Sequence, residues 1–489
     1  MINPSRHTLL ALVIVVCAAI AGAADSNEVT APASRWLGDG PVELELIDAD
    51  LVLRWDVSEK PRLDLWWSNE EIPGRISVQS LDTGDKISSI NDPAVAGRAL
   101  IELHLVPGQP VIVDASQTAI DAVYPQMMAV ETDEDDETDE ENQIDKEGET
   151  DEAAVPLDAT ASESDITLSG LPGARLDLSG GALFSSDGTG SWVLEADGGS
   201  VQIEDHSGDL RLTGVDCSAR LDGLEGQLGL DATGGSLWAS AVAGSVMAVL
   251  ASAELAIESS QASIVVSGDS SNIELYDVST STVRITGSGH TLRLEDVAAS
   301  AHINIGGGST ATVTGWSQRL DLTLREQSSA FVDTVDGDCA FRIDSSDLEL
   351  RTVTKHVRGT ATSARFTAEN LRSLELAANN SEVTVTRARH LNKLEVIDCR
   401  VTLDLPNLRD KRAIKLMGAS TADVRLPRPC QVRFFGAQPE SGQASVTGCV
   451  SLSLNQNWQR QRKVHPDEPD LISLGVTLGP EATIDIVGD

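Results

Sequence analysis

The sequence predicts an all-β chain dominated by a parallel β-solenoid, a β-helix with two main strands and about 18–19 residues per coil. Three observations carry this. An apolar–x–apolar triplet recurs every nine residues, starting at Trp192, Val201, Leu210, Ala219, Leu228, Leu237, Val246, Leu255, Ile264 and Ile273. Each unit, such as VQIEDHSGD or LRLTGVDCS, joins an alternating stretch to a run of Gly, Ser, Asp, Asn or Thr. From Val242 onward every other turn carries one extra apolar residue: Val278, Val297, Trp316, Val335, Val353, Leu371, Leu391 and Leu408. A short period sustained this long marks a solenoid, in which each repeat buries its apolar face only against its neighbours.

Within a unit, period two means a strand with one face inward, and the Gly, Ser, Asp and Asn residues supply the turn. A helix is excluded because the turns hold too many glycines and apolar residues do not recur at three and four. The alternate-turn residue groups two strands into one coil. Three units per coil would give a 27-residue recurrence, which the sequence does not show. Val201, Ala219, Leu237, Leu255 and Ile273 should therefore form one internal stack, with Leu210, Leu228, Val246 and Ile264 facing it. After Ile273 the step drifts but remains legible through Leu374, Val401 and Val432.

Four segments are expected along the chain. Residues 1–23 read as a signal peptide: Arg6, an apolar stretch from Leu9 to Ile20, then Ala21-Gly22-Ala23 as a cleavage site. Residues 34–125 are strand-rich without the nine-residue period, and form either an N-terminal cap or irregular first coils. Residues 126–160 hold an acidic run: Glu131 to Glu152 carry 14 acidic side chains and a single Lys146. Such a run repels itself and carries almost no apolar residue, which predicts a disordered, solvated loop. Whether it binds cations is left open. Residues 161–489 form the solenoid. The polar stretch NWQRQRKVHPDEPD, between the strands at Leu452 and Ile472, is expected at or near the C-terminal cap.

The signal predicts export to the periplasm, the cell surface or the medium. No second stretch is long and apolar enough to span a membrane, so the chain is not expected to be an integral membrane protein. The acidic run supplies −13 of the formal net charge of −40, and the remaining −27 argues against nucleic acid or an anionic membrane as a partner. Five cysteines follow the signal: Cys217, Cys339, Cys399, Cys430 and Cys449. Cys430 and Cys449 lie one coil apart and are candidates for a disulfide; the alternative is that all five are small buried residues.

No catalytic constellation, metal-ligand spacing or cofactor motif stands out, and no cofactor is expected. The chain is read as non-enzymatic. Strand carboxylates such as Asp177, Asp321 and Glu349 leave a polysaccharide-active enzyme as the alternative. Two features point to binding. The middle residue of each triplet should face outward and is usually polar, as at Gln202, Arg211, Arg220 and Glu274. Trp238, Met247, Ala256 and Val265 break that rule in consecutive units, which makes them a candidate docking patch. Trp238 and Ala256 should share one face and Met247 and Val265 the other. The occupant would be this chain's own N-terminal region, a second copy, or another macromolecule or envelope component. Trp66 and Trp67 cannot both face inward in a regular strand, and are candidate glycan contacts or core packing.

The run LTGVDCSARLDGLEGQLGLDATGGSLWASAVAGSV resembles the bacterial putative-adhesin β-helix family of the head-GIN type, over about residues 160–360. IELHLVPGQPVIVDAS is similar to the entry strand of those domains. The resemblance implies an exported β-helix with an adhesin-like role. It transfers no catalytic or binding residue.

Overall fold

The computed structural model describes residues 33–36, 41–47, 49–55, 61–67, 76–81, 84–89, 99–105, 109–116, 118–123, 157–406, 408, 412–435, 443–454 and 472–488. The predicted signal peptide, the acidic run and the NWQRQRKVHPDEPD stretch lie outside these residues. The described residues are all β, with parallel strands stacked in a β-solenoid and no helix among them. Two compact units are present, Met1–Ser185 and Ser186–Asp489.

In the first unit the parallel ladder reaches back well before residue 161. Val42–Ile47 pairs in parallel with Val111–Ser116, which pairs with Leu157–Ser162, which pairs with Gly173–Ser179. On the facing sheet, Ala49–Trp55 pairs with Ala119–Val123, which pairs with Asp165–Ser169. The strand-rich N-terminal region therefore supplies early rungs as well as a cap. Its cap character is confined to antiparallel additions: Ala33–Trp36 on Arg62–Trp67, the latter on Ala99–Leu105, and Ile76–Leu81 on Gly84–Ser89. The expected loop boundary at 160 also shifts, because Leu157–Thr160 belong to a strand. Ala119–Val123 and Leu157–Ser162 occupy consecutive places in the coil.

In the second unit the expected register holds. One ladder runs Val201, Ala219, Leu237, Leu255, Ile273. The facing ladder runs Trp192, Leu210, Leu228, Val246, Ile264. All these side chains are buried. Burial alternates along many of the strands, as in Thr421–Leu426 and Thr291–Glu295. Each coil removes two apolar rows from water, at roughly 25 cal/mol per Å² of apolar area.

Both corners of the coil carry columns of their own. The alternate-turn residues line a third short side: Leu224, Val242, Val278, Val297, Trp316, Val335, Val353, Leu371, Leu391 and Leu408 are all buried. Trp316 donates its indole N–H to the Ala299 carbonyl at 2.8 Å, which satisfies the one polar atom it brings inside. His206 occupies the same column, paired with Leu224. Gly226 turns this side at φ 143°, and a Cβ there would strike the Gly208 carbonyl, so only glycine fits.

The opposite corner is a column of small polar residues: Ser271, His290, Ser309, Ser328, Ser346, Ser381, Cys399 and Ser420, all buried. Their side chains cap turn backbone that no strand partner reaches. Ser271 Oγ accepts from the Ala253 N–H at 3.3 Å, Ser309 Oγ from His290 at 3.0 Å, and Ser420 Oγ from Cys399 at 3.1 Å. The residue before each is often Asp, Asn or Ser in the left-handed region, such as Ser270, Asn380 and Asp398, which is the turn chemistry these residues tolerate.

The C-terminal end departs from sequence order. Ile472–Leu478 pairs on one side with Arg412–Met417 and on the other with Cys430–Phe435. Cys430–Phe435 then pairs with Val450–Leu454. The last coil in sequence is therefore inserted between two earlier ones, and the coil from Cys430 to Leu454 lies outermost.

Candidate functional site

Outward positions of the second unit fall into columns because parallel register repeats each side chain directly above its neighbour. One column runs Gln202, Arg220, Trp238, Ala256, Glu274, Arg293, Thr312, Phe331, Glu349. The other sheet carries Arg211, Gly229, Met247, Val265, Arg284, His302. The four candidate residues are thus divided in pairs, Trp238 with Ala256 and Met247 with Val265, on opposite faces. They do not make one continuous patch.

On the first face Trp238 is half-buried and the Arg220 guanidinium lies over its ring, 4.5 Å from the centroid. A groove of about 300 Å³ runs from there along the column, lined by Arg220, Trp238, Glu254, Ala256, Asn272 and Glu274. Ala256 is the reason for the groove: it is the one small side chain between Trp238 and Glu274. Glu254 and Glu258 flank Ala256 on the same face of the same strand, and both are exposed. At the far end Glu274 accepts from the Tyr276 hydroxyl at 2.7 Å and from Asn272 Nδ2 at 3.3 Å. Burial, then the hydrogen bond to Glu274, pushes the Tyr276 hydroxyl up to about 12, so it remains a donor.

On the opposite face Met247 is 62% exposed and Val249, two residues on, 53%. Val265 beside Met247 is half-buried. The sequence reading missed Val249. The run SVMAVLA is apolar at every position but its first, so no contrast marks which members face out.

The other candidates are distributed differently. Asp321 and Glu349 lie on different ladders, each in an ion pair with an arginine two residues away in the chain: Arg319 at 3.0 Å and Arg351 at 3.3 Å. They do not converge on one another. Among the described residues no group of three or more His, Cys, Asp or Glu is placed to hold a metal. Trp66 and Trp67 end the strand Arg62–Trp67, and their side chains lie outside the described residues. Cys430 and Cys449 are joined by a disulfide with 4.9 Å between Cα atoms. Cys217, Cys339 and Cys399 are free and buried. Burial raises all three thiols, Cys339 to about 12 with help from the Asp321 charge, so they stay protonated and unreactive.

No family model and no curated protein matches the chain. Among solved structures, a "putative cell adhesion protein" from Clostridium sporogenes is similar at 10% identity, with a TM-score of 0.22 over 43% of this chain and 98% of that one. At that score the likeness carries no argument, and the comparisons assign no family. No helix among the described residues is long and apolar enough to cross a membrane.

Proposed function

We propose that the chain is an exported, non-enzymatic interaction protein, an adhesin-like or envelope-structural β-solenoid that presents its outward columns to another macromolecule. One observation carries the reading: the columns are polar along most of their length and break at Trp238 with Ala256 and at Met247 with Val249 and Val265, where apolar surface is left open. Exposed apolar patches of this kind mark contact surfaces. The Cys430–Cys449 disulfide supports export, since such bonds persist in oxidising compartments.

The test uses the full mature chain, with Trp238→Arg and Met247→Glu as variants. Retention on cell-envelope material of the source organism, and self-association by sedimentation velocity, are measured beside thermal melting. Either retention or self-association should fall several-fold in at least one variant at unchanged melting temperature. Wild-type protein that neither adsorbs nor self-associates would sink the proposal. Release of reducing ends from a polysaccharide panel would instead favour the enzymatic alternative.

A further inference from the structure

We propose that the groove over Ala256 binds a guanidinium or alkylammonium group carried on a basic segment of a protein partner. The inference rests on the preceding reading of this face as a contact surface, and names the chemistry it takes.

The argument comes from how the same face treats its other aromatic rings. Phe331 lies in the Trp238 column. The guanidinium of Arg351 covers it, 4.6 Å from the centroid, and is held by Glu349, the next residue of the column, at 3.3 Å. Tyr276 is covered by Arg293 at 5.4 Å, and Arg293 is held at 2.8 Å by Glu295, the ladder neighbour of Tyr276. The repeated arrangement is an aromatic ring, a carboxylate one rung on, and an arginine that satisfies both.

Trp238 has the ring and the carboxylates, but the arginine of the next rung is missing. The following strand reads Glu254, Leu255, Ala256, Ile257, Glu258, with acids on both sides of the small residue. No hydrogen-bond or ion-pair partner for the side chain of Glu254 or Glu258 is present among the described residues. Arg220 covers the ring from the preceding rung, and register places Ala256 on the other side. A cation over Ala256 would meet the Trp238 ring, two flanking carboxylates and Glu274 beyond. Cations are attracted to the ring quadrupole most strongly at tryptophan. The groove volume of about 300 Å³ accommodates a guanidinium with its stem. The local balance of two cations, Arg220 and Arg293, against four carboxylates, Glu254, Glu258, Glu274 and Glu295, favours a positive guest, as does the net charge of −40.

The test reads the indole N–H resonance of Trp238 in protein labelled with ¹⁵N at tryptophan, assigned by its loss in Trp238→Phe. The probes are N-acetyl-arginine amide and its neutral isostere, N-acetyl-citrulline amide. The arginine probe should shift the resonance saturably, with binding about tenfold tighter than the citrulline probe. Ala256→Arg, which supplies the missing guanidinium in cis, should abolish the shift, and Glu254→Gln with Glu258→Gln should weaken binding severalfold. These positions face outward, so melting should not change. Equal binding of both probes, no shift at all, or undiminished binding to the well-folded Ala256→Arg variant would overturn the proposal. So would a shift produced by a neutral disaccharide in place of the arginine probe, which would make the groove a sugar site. If Trp238→Arg still lowers envelope retention while the arginine probe fails, the contact surface stands and only its cation chemistry is lost.

Discussion

Ile264 shows how much a single inward position carries. It is fully buried in the facing stack, between Val246 and Val283. Ile264→Asp places an unpaired charge between two apolar rows and should cost on the order of 4 kcal/mol. Thermal or urea unfolding of the second unit checks this, and unchanged melting would mean the inward assignment is wrong. His206 makes a second residue-scale prediction. It is buried edge-on against Trp192, ring centroids 5.2 Å apart. Burial lowers its pKa below the ordinary 6.5, outweighing the opposite pull of the Gly190 and Asp209 backbone. Below about pH 6.5 the unfolded chain takes up a proton that folded His206 resists, so the unfolded state binds more protons and stability falls as pH drops. Above that pH the contribution is complete. His206→Leu, matching Leu224 beside it in the column, should flatten the loss of melting temperature between pH 7 and pH 5 relative to wild type. Parallel curves would show that His206 is not the titrating group.

The strands were legible because their period is short and their contrast high: each triplet sets two apolar residues around a polar one. The corners were less so. The alternate-turn column was readable from Val278, Val297 and Trp316, since an apolar residue in a turn is conspicuous. The column of Ser271, Ser309 and Ser420 was hidden among ordinary turn serines, because one that caps a buried N–H and one that faces water look identical in sequence. The close approach of Phe341 to Gly359 was equally silent. Phe341 stacks on Phe366, ring centroids 4.8 Å apart, and its ring fills the space a side chain at Gly359 would need. Gly359→Ala should therefore destabilise by about 1–3 kcal/mol through overpacking. Restoration of the melting temperature by a second change, Phe341→Leu, would confirm the cause; a harmless Gly359→Ala would refute it.

At the scale of the molecule, local period predicts the stacking of neighbours but not the order in which distant coils are threaded. Nothing in the sequence after Leu454 announces that Ile472–Leu478 returns between Arg412–Met417 and Cys430–Phe435, since any apolar strand of that length would stack at either place. The candidate surface shows the same limit. Trp238 and Ala256 were legible as unusual outward residues, whereas the groove also depends on Glu254 beside Ala256 and on Arg220 and Glu274 arriving from two further strands. The account therefore rests on the two-strand coil that sets Trp238 beside Ala256, and one distance tests it. Spin labels at Arg220→Cys and Glu349→Cys sit seven ladder steps apart in one column. At about 4.8 Å per step, pulsed electron–electron resonance should find their backbones about 34 Å apart, after allowance for the label arms. A coil of three nine-residue units would put the same positions about 23 Å apart, and that result would contradict the two-strand coil and the groove built on it.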